Sequence, residues 1–443
     1  MSGRDDGDVA SSPYIEQLRL TRFKSFRDAV LPLRDLTLLI GRNGSGKSNA
    51  IDGLHVLSRL ADGEDLREAI DGNRREGQEV RGGVSGCAPY GESTFELGCT
   101  VVRGTDRIEL DIVVRVDPDV QIVSEQLQVR STGGKVRPYL TTDEPQAGLV
   151  DIAGRYFNGK RGVNPALPFR SDRLLTAQVP TKVPATSIAT RQVHDVALAV
   201  VDALRAVFIL DPVPALMRQY VPERDTVLRR QGDNLSAVVS GLQADDTRWE
   251  RLAQLVEALP EQQVSGIGVE SSQLGDVMLT LHERFGDHEV RFPARVMSDG
   301  MLRFLAFAAA LLEAAEITDE QASGANTQLV IEEIENGLHP SQAARIVTLI
   351  KEESARRRIR TLATTHSPAM LTALEAPDHE GVILCRRNAI TAVSELVPLV
   401  DLPAYPEALA AGTLGDAVSM RRLDAVPDSA ARLTALDDLL ASL

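Results

Sequence analysis

Residues Gly41 to Ser48 carry the clearest chemistry in the sequence, because they match the phosphate-loop pattern G-x-x-x-x-G-K-[ST] at every fixed position. Glycines let the backbone turn tightly around an anion, so that several N–H groups and a helix N-terminus point at a phosphate. Lys47 supplies a cation for the β- and γ-phosphates, and the Ser48 hydroxyl is a natural ligand for Mg²⁺. The segment therefore predicts a site for a nucleoside triphosphate, ATP, with Mg²⁺. The residues expected to bind the nucleotide are Asn43, Gly44, Ser45, Gly46, Lys47, Ser48 and Asn49.

The second chemical feature is a pair of acids, Glu332 and Glu333, which directly follows the apolar run from Gln328 to Ile331. A strand that ends in two acids is the Walker B arrangement of phosphate-loop ATPases, and its end is expected to lie beside the phosphate loop. We expect Glu332 to help to hold Mg²⁺, and Glu333 to polarise the water that attacks the γ-phosphate. The alternative is a solvated acid pair at a strand end, and Glu332 stands where Asp is usual.

Several other segments resemble the motifs of one ATPase family. Residues 332–340 (EEIENGLHP) resemble its Walker B motif and D-loop, and residues 297–304 (MSDGMLRF) resemble its ABC signature. Residues 364–368 (TTHSP) resemble its histidine switch, and the turn 23–26 (FKSF) and the tract 211–235 also match. The family is the RecF/SMC-like branch of ABC-type ATPases, also described as AAA-type or OLD-like P-loop ATPases.

The resemblance implies that the signature works between two subunits. Ser298 and Gly300 open a predicted helix whose N-terminus would bind the γ-phosphate of ATP held by a second subunit. Two heads would then close head-to-tail around two nucleotides. An ordinary helix N-cap at Ser298 is the alternative interpretation. Asp299 and Met301 depart from the family's usual Gly and Gln.

The resemblance also implies a sensing role for His366, which would hydrogen-bond the γ-phosphate or the attacking water. A structural histidine is the alternative. His339 occupies the D-loop position where transporters have Asp. Gln178 is the candidate for the family's glutamine loop.

The elements that must position these motifs are predicted from periodicity. Three strands with tight turns are expected between Tyr14 and Ile40, where the exposed first turn carries the FKSF segment, and a helix follows from Ser48. Antiparallel strands are expected at 95–102, 108–116 and 120–129, helices between 150 and 266, and alternating helices and strands after 277. With the resemblance, the expected fold is an α/β P-loop NTPase head of the ABC type, with an antiparallel β-subdomain and an inserted mainly helical lobe. The predicted division is 1–12 (disordered tail), 13–149 (first part of the head), 150–276 (lobe) and 277–443 (second part of the head).

Composition limits the classes of partner. The formal net charge of −15 repels nucleic acid at long range, so that contact with DNA needs a local basic patch. One candidate patch combines cations with aromatic residues, although a charged loop is the preferred interpretation; it comprises Arg155, Lys160, Arg161, Arg170 and Arg173 with Tyr156, Phe157 and Phe169. Three isolated cysteines predict a reducing, cytoplasmic compartment, and no apolar run approaches the roughly 20 residues that cross a bilayer.

Three functional classes remain open. The preferred one is an ATPase that dimerises on ATP and transmits a conformational change to DNA or to an effector protein such as a nuclease or toxin, in DNA repair or antiphage defence. The second is an OLD-like nuclease component, but the acids after His366 are scattered rather than clustered for two-metal chemistry. The third is a transporter ATPase subunit, which the long insertion disfavours.

Overall fold

The computed structural model describes residues 12–72, 80–144, 150–257, 264–319, 325–337, 340–357, 359–388, 390–420 and 422–423. Its strands are β1 Tyr14–Thr21, β2 Asp28–Pro32, β3 Leu36–Ile40, β4 Thr94–Arg103, β5 Asp106–Arg115, β6 Gln121–Arg130, β7 Val136–Thr142, β8 Asp151–Tyr156, β9 Ala166–Arg170, β10 Val207–Leu210, β11 Val221–Pro222, β12 Val264–Ser271, β13 Asp276–Phe285, β14 His288–Pro293, β15 Gln328–Ile331, β16 Arg360–Thr364, β17 Val382–Arg387 and β18 Ser394–Pro398. Its helices are α1 Lys47–Ala61, α2 Leu66–Asp71, α3 Leu175–Lys182, α4 Ile188–Arg205, α5 Pro214–Met217, α6 Leu235–Leu242, α7 Asp246–Glu257, α8 Asp299–Asp319, α9 Pro340–Arg357, α10 Pro368–Thr372, α11 Tyr405–Ala410 and α12 Leu414–Ser419. Residues 1–11 of the predicted tail, and His339 of the D-loop, lie outside the described residues.

A central sheet with strand order β10-β15-β16-β3-β17-β18 positions the phosphate loop. Its first five strands are parallel, and β18 returns antiparallel to β17. The carboxyl ends of parallel strands meet at one edge of a sheet, where ligands of open α/β folds bind. The segments that follow β3, β15 and β16 therefore lie side by side.

Both faces of this sheet are buried, as expected of parallel strands. Alternate residues of β3 enter different cores: Leu39 packs with α1 and α4, whereas Leu38 and Ile40 pack with α8 and α9. This alternation fixes the register of β3 and hence the position of the loop that follows it.

An antiparallel sheet with order β2-β1-β4-β5-β6-β7-β8-β9 shares the first of these cores with α1 and α4. A smaller antiparallel sheet joins β11, β12 and β14 to the central β13. The predicted α/β fold with an antiparallel β-subdomain is thus confirmed. Within the described ranges, no helix has the length and apolarity that crossing a bilayer requires.

The segment 150–276 is less helical than its periodicity predicted. It contains α3, α4, α6 and α7, but β8 and β9 extend the antiparallel sheet and β10 forms an edge of the central sheet. The strand β10 was missed because its apolar residues continue the pattern of α4, and only pairing with the distant β15 makes them a strand. The domain boundaries at 149/150 and 276/277 stay predictions.

A buried carboxylate joins the antiparallel sheet to α3. Glu125 on β6 is 0% exposed and accepts hydrogen bonds from Leu175 N (2.8 Å) and from Thr176 Oγ1 (2.6 Å). It also accepts a hydrogen bond from Thr176 N. No side chain within α3 or at its N-cap position caps the helix, so Glu125 satisfies its first N–H groups.

We expect Glu125→Ala to lower the free energy of unfolding by about 3 kcal/mol, because three buried donors lose their acceptor. Urea unfolding followed by circular dichroism measures the change. The matched control is Glu16→Ala, which removes a half-exposed ion pair with Arg107 on the same sheet and should cost less than about 1 kcal/mol. Equal losses in the two variants would contradict the capping role.

Candidate nucleotide site

The phosphate loop is held by its glycines against the neighbouring strand. Gly41 has φ 143°, and a Cβ atom at this position would lie 2.0 Å from the carbonyl oxygen of Cys385 on β17. Gly46, with φ 116°, directly precedes α1, whose N-terminus has no side-chain cap. The first N–H groups of α1 are therefore available to an anion, as the sequence predicts.

The FKSF turn packs against the start of α1 and supports the phosphate loop. The expectation of an exposed turn is therefore wrong. Phe23 and Phe26 are both 0% exposed. Ser25 Oγ accepts a hydrogen bond of 2.8 Å from Asn49 Nδ2. Lys24 Nζ donates to Asp52 Oδ2 (2.6 Å), one turn beyond Ser48 on α1. Two aromatic side chains fill the core under α1, which turn propensity alone does not predict.

Lys47 is buried, and its Nζ folds back to donate to the carbonyl oxygens of Gly41 (2.8 Å) and Arg42 (3.2 Å). Burial lowers the pKa of Lys47, while the nearby carboxylates of Glu333, Glu335 and Glu332 raise it. The ammonium group is thus held inside the loop, where a phosphate would bind.

Ser48 and Glu332 meet as the sequence predicts for a metal site. Ser48 Oγ donates to Glu332 Oε2 at 2.9 Å, and Arg81 Nη2 donates to the same oxygen at 3.2 Å. A hydroxyl and a carboxylate are oxygen ligands of the kind that Mg²⁺ prefers, and Mg²⁺ with a nucleotide usually takes only one or two protein ligands besides phosphates and water. The two residues therefore fit Mg²⁺. Among the described residues, no group of three or more His, Cys, Asp or Glu side chains could hold a metal ion.

Glu333 has a backbone conformation that is unusual for a residue with a side chain, with φ 49°. Its N–H donates to Thr364 Oγ1 at 2.8 Å, and its Oε2 accepts a hydrogen bond of 2.9 Å from Asn336 Nδ2. Left-handed backbone of this kind persists where its surroundings impose it, and it is enriched at active sites. The strain and the two contacts fix the direction of an exposed carboxylate.

His366 follows β16 and faces the same space. Its backbone N–H donates to Glu335 Oε1, and Glu335 Oε2 is buried with no hydrogen-bond partner among the described residues. Burial and the charge of Lys47 lower the pKa of His366, against the opposing effect of Glu335 and Glu333. Burial and Lys47 thus favour the neutral imidazole.

A cavity of about 560 Å³, the size of a small-ligand site, opens beside these groups. Its lining residues are Arg42, Asn43, Glu333, Glu335, Asn336 and His366. The structure thus brings together the phosphate loop, the acid pair and the histidine from the ends of β3, β15 and β16. The sequence carries no signal that assigns a role to Arg42 or Arg81, and Asn336 lies in the segment that resembles the D-loop.

The signature lies apart from this cavity. Ser298 is exposed, and its Oγ accepts a hydrogen bond of 3.2 Å from Met301 N, so it caps α8. Gly300 adjoins the D-loop, because a Cβ atom at Gly337 would lie 3.3 Å from Gly300 N. Neither Ser298 nor Gly300 is among the residues that line the described cavity.

Two other predictions gain no support from the contacts. Gln178 lies on α3, where its Nε2 donates to Arg170 O (3.0 Å) and its Oε1 accepts from Arg170 N (3.1 Å), and it does not line the described cavity. In the candidate basic patch, Arg155 pairs with Asp143 at 2.6 Å and Arg170 pairs with Asp172. These ion pairs favour the charged-loop interpretation of that patch.

Comparisons with known proteins agree with the motifs. The family model described as "AAA domain, putative AbiEii toxin, Type IV TA system" matches residues 36–143 and 179–372. The "DNA replication and repair protein RecF" of Thermomicrobium roseum is 34% identical over 105 residues, which is 24% of this chain and 24% of RecF. The match thus spans about a quarter of that relative's length.

Solved structures with a similar outline include "Crystal structure of the SmcHead bound to the C-winged helix domain of ScpA", at 14% identity and a TM-score of 0.49, covering 87% of this chain and 97% of that one. Another is "SMC head domain from Thermotoga maritima", at 14% identity and a TM-score of 0.41, covering 87% of this chain and 98% of that one.

Proposed function

We propose a function that starts from the family of this chain, which belongs to the ATPase family described as "AAA domain, putative AbiEii toxin, Type IV TA system". The chain binds ATP with Mg²⁺ and hydrolyses it in a head-to-tail dimer. The observation that carries this proposal is the convergence of the phosphate loop, Glu332, Glu333 and His366 at one edge of the parallel sheet. The resemblance to RecF/SMC-like ATPases is confirmed by the family match and by RecF. Which residues contact the nucleotide stays a prediction.

The phosphate loop and Lys47 would bind the β- and γ-phosphates through backbone N–H groups and one cation. Ser48 and Glu332 would hold Mg²⁺, which neutralises charge on the phosphate oxygens when it is bound. Glu333 would orient and polarise the attacking water, since Asn336 and Thr364 fix its position. Neutral His366 can donate one hydrogen bond toward the γ-phosphate without adding a full charge.

In the proposed dimer, the partner subunit supplies the signature, which the single chain does not place at the cavity. Ser298 and Gly300 are at the N-terminus of a long helix, and Ser298 is exposed. In a head-to-tail pair this N-terminus would face the γ-phosphate held by the other subunit, and each site would need both chains.

Ser298→Asp is expected to lower turnover about 100-fold, because a carboxylate at the N-cap repels the γ-phosphate while it still caps α8. Ser298→Asn is the matched control, since Asn caps a helix equally well without charge, and its rate should stay within about threefold of wild type. Phosphate release at several protein concentrations measures both, and fluorescent-ATP binding checks that the phosphate loop is intact. Equal rates in the two variants would leave Ser298 as an ordinary N-cap.

We further propose that opening and closing of the dimer is transmitted to DNA or to an effector protein, in DNA repair or defence against phage, and that the protein works in the cytoplasm. The similarity to RecF supports the repair role. Addition of double-stranded DNA should change the ATPase rate if DNA is the partner. An unchanged rate at DNA concentrations well above those of the protein would favour a protein effector.

A further inference from the structure

The tract 211–235, which the proposed mechanism does not use, folds into a scaffold around one buried amide. Asn234 is 0% exposed, its Oδ1 accepts from Arg229 N (3.0 Å), and its Nδ2 donates to Val227 O (2.6 Å). Gly232 has φ 67°, and a Cβ atom there would lie 2.5 Å from Met217 Cε. These contacts fix the loop, and Gly232 lies between Met217 of α5 and Ala306 of the signature helix α8.

This scaffold places Arg218, the residue directly after α5, in contact with the signature. Its Nη2 donates to the carbonyl oxygen of Met297 (2.9 Å) and to Asp299 Oδ1 (2.6 Å). These two acceptors flank Ser298 on either side. One guanidinium group therefore restrains the backbone before Ser298 and the side chain after it.

Asp299 poses an electrostatic problem for an anion site. Its side chain is 64% exposed and lies next to the helix N-terminus where a γ-phosphate is proposed to bind. Like charges that are brought together when a partner closes the site weaken the closed state. The ion pair with Arg218 compensates this charge, and the half-buried guanidinium is fixed by its second hydrogen bond to Met297.

We propose that Arg218 is a positioning residue that makes the signature able to accept a phosphate, because it neutralises Asp299 and holds the loop that carries Ser298. This inference rests on the proposed head-to-tail dimer. It deepens that proposal by assigning a role to a residue on a different segment of the chain.

A double-mutant cycle on the full-length chain tests the inference. All variants carry Glu333→Gln, so that ATP is not consumed, and the dissociation constant of the ATP-induced dimer is measured by sedimentation velocity. We expect Arg218→Ala to raise this constant at least about tenfold. In a chain that also carries Asp299→Asn, which removes the negative charge, Arg218→Ala should raise the dissociation constant of the dimer by no more than about threefold.

Matched controls separate this effect from misfolding. Arg229→Ala removes an arginine of the same tract that pairs with Asp225 and Asp233 instead of the signature, and it should leave the constant unchanged. Arg218→Lys keeps the charge but loses the planar donor group that contacts both Met297 and Asp299, so its constant should lie between those of the parent and of Arg218→Ala. Fluorescent-ATP binding to the monomer should be the same in all variants.

Each outcome decides a different claim. If the Glu333→Gln parent dimerises but Arg218→Ala leaves its constant unchanged, the role of Arg218 is wrong and the proposed function stands. An equal rise with and without Asp299→Asn would rule out charge compensation. If the parent does not dimerise with ATP, the proposed function fails, and this inference fails with it.

Discussion

Lys47→Ala is expected to abolish ATP binding and turnover together. The Lys47 ammonium group is already held among the backbone carbonyls of the phosphate loop, so its interaction with the phosphates needs little rearrangement. We expect the dissociation constant for ATP to rise about 100-fold and turnover to fall about 1,000-fold or more. Titration calorimetry measures the first quantity, and phosphate release measures the second.

The matched control is Lys135→Ala, which removes an exposed lysine in the turn between β6 and β7, on the antiparallel sheet. Its ATP affinity and turnover should equal those of wild type. Thermal unfolding of both variants checks that the fold is intact. An Lys47→Ala variant that binds and hydrolyses ATP normally would refute the phosphate-loop interpretation.

Glu333→Gln is expected to separate binding from hydrolysis. The amide keeps the size of the side chain, and its oxygen can still accept from Asn336 Nδ2, but it no longer polarises water as a base. We expect single-turnover hydrolysis to slow by about 10²- to 10⁴-fold, with ATP affinity close to that of wild type. Rapid-quench assays with excess protein measure the chemical step directly.

Glu335→Gln is the informative comparison, because Glu335 lines the same cavity but accepts a hydrogen bond from the backbone of His366. An amide oxygen can keep that bond, so Glu335→Gln should retain a rate within about tenfold of wild type. If Glu333→Gln hydrolyses ATP at the wild-type rate and Glu335→Gln does not, the water-polarising role belongs to Glu335.

Local patterns in the sequence predicted the parts of the site that follow buried strands. The phosphate loop, the acid pair and the histidine follow β3, β15 and β16 at one edge of the sheet, as expected, because apolar runs identify parallel strands and parallel strands share one carboxyl edge. Their roles in binding and hydrolysis stay predictions. The family match confirms the resemblance that linked them.

Contacts between distant segments could not be predicted in this way. Arg81 reaches Glu332, Glu125 caps α3, and Arg218 reaches Asp299, and none of these pairs has a local sequence signal. The strand β10 is missed for the same reason, since only pairing with the distant β15 makes its residues a strand. Long-range packing overrides local periodicity at these positions.

The mass of Glu333→Gln in solution, measured by light scattering with and without ATP and Mg²⁺, tests most directly the claim that two chains share two nucleotides. We predict the mass of one chain without nucleotide and of two chains with ATP. The double variant, which carries Ser298→Asp as well as Glu333→Gln, should have the mass of one chain even with ATP. A mass that ATP leaves unchanged, in a variant that calorimetry shows to bind ATP, would contradict the shared site.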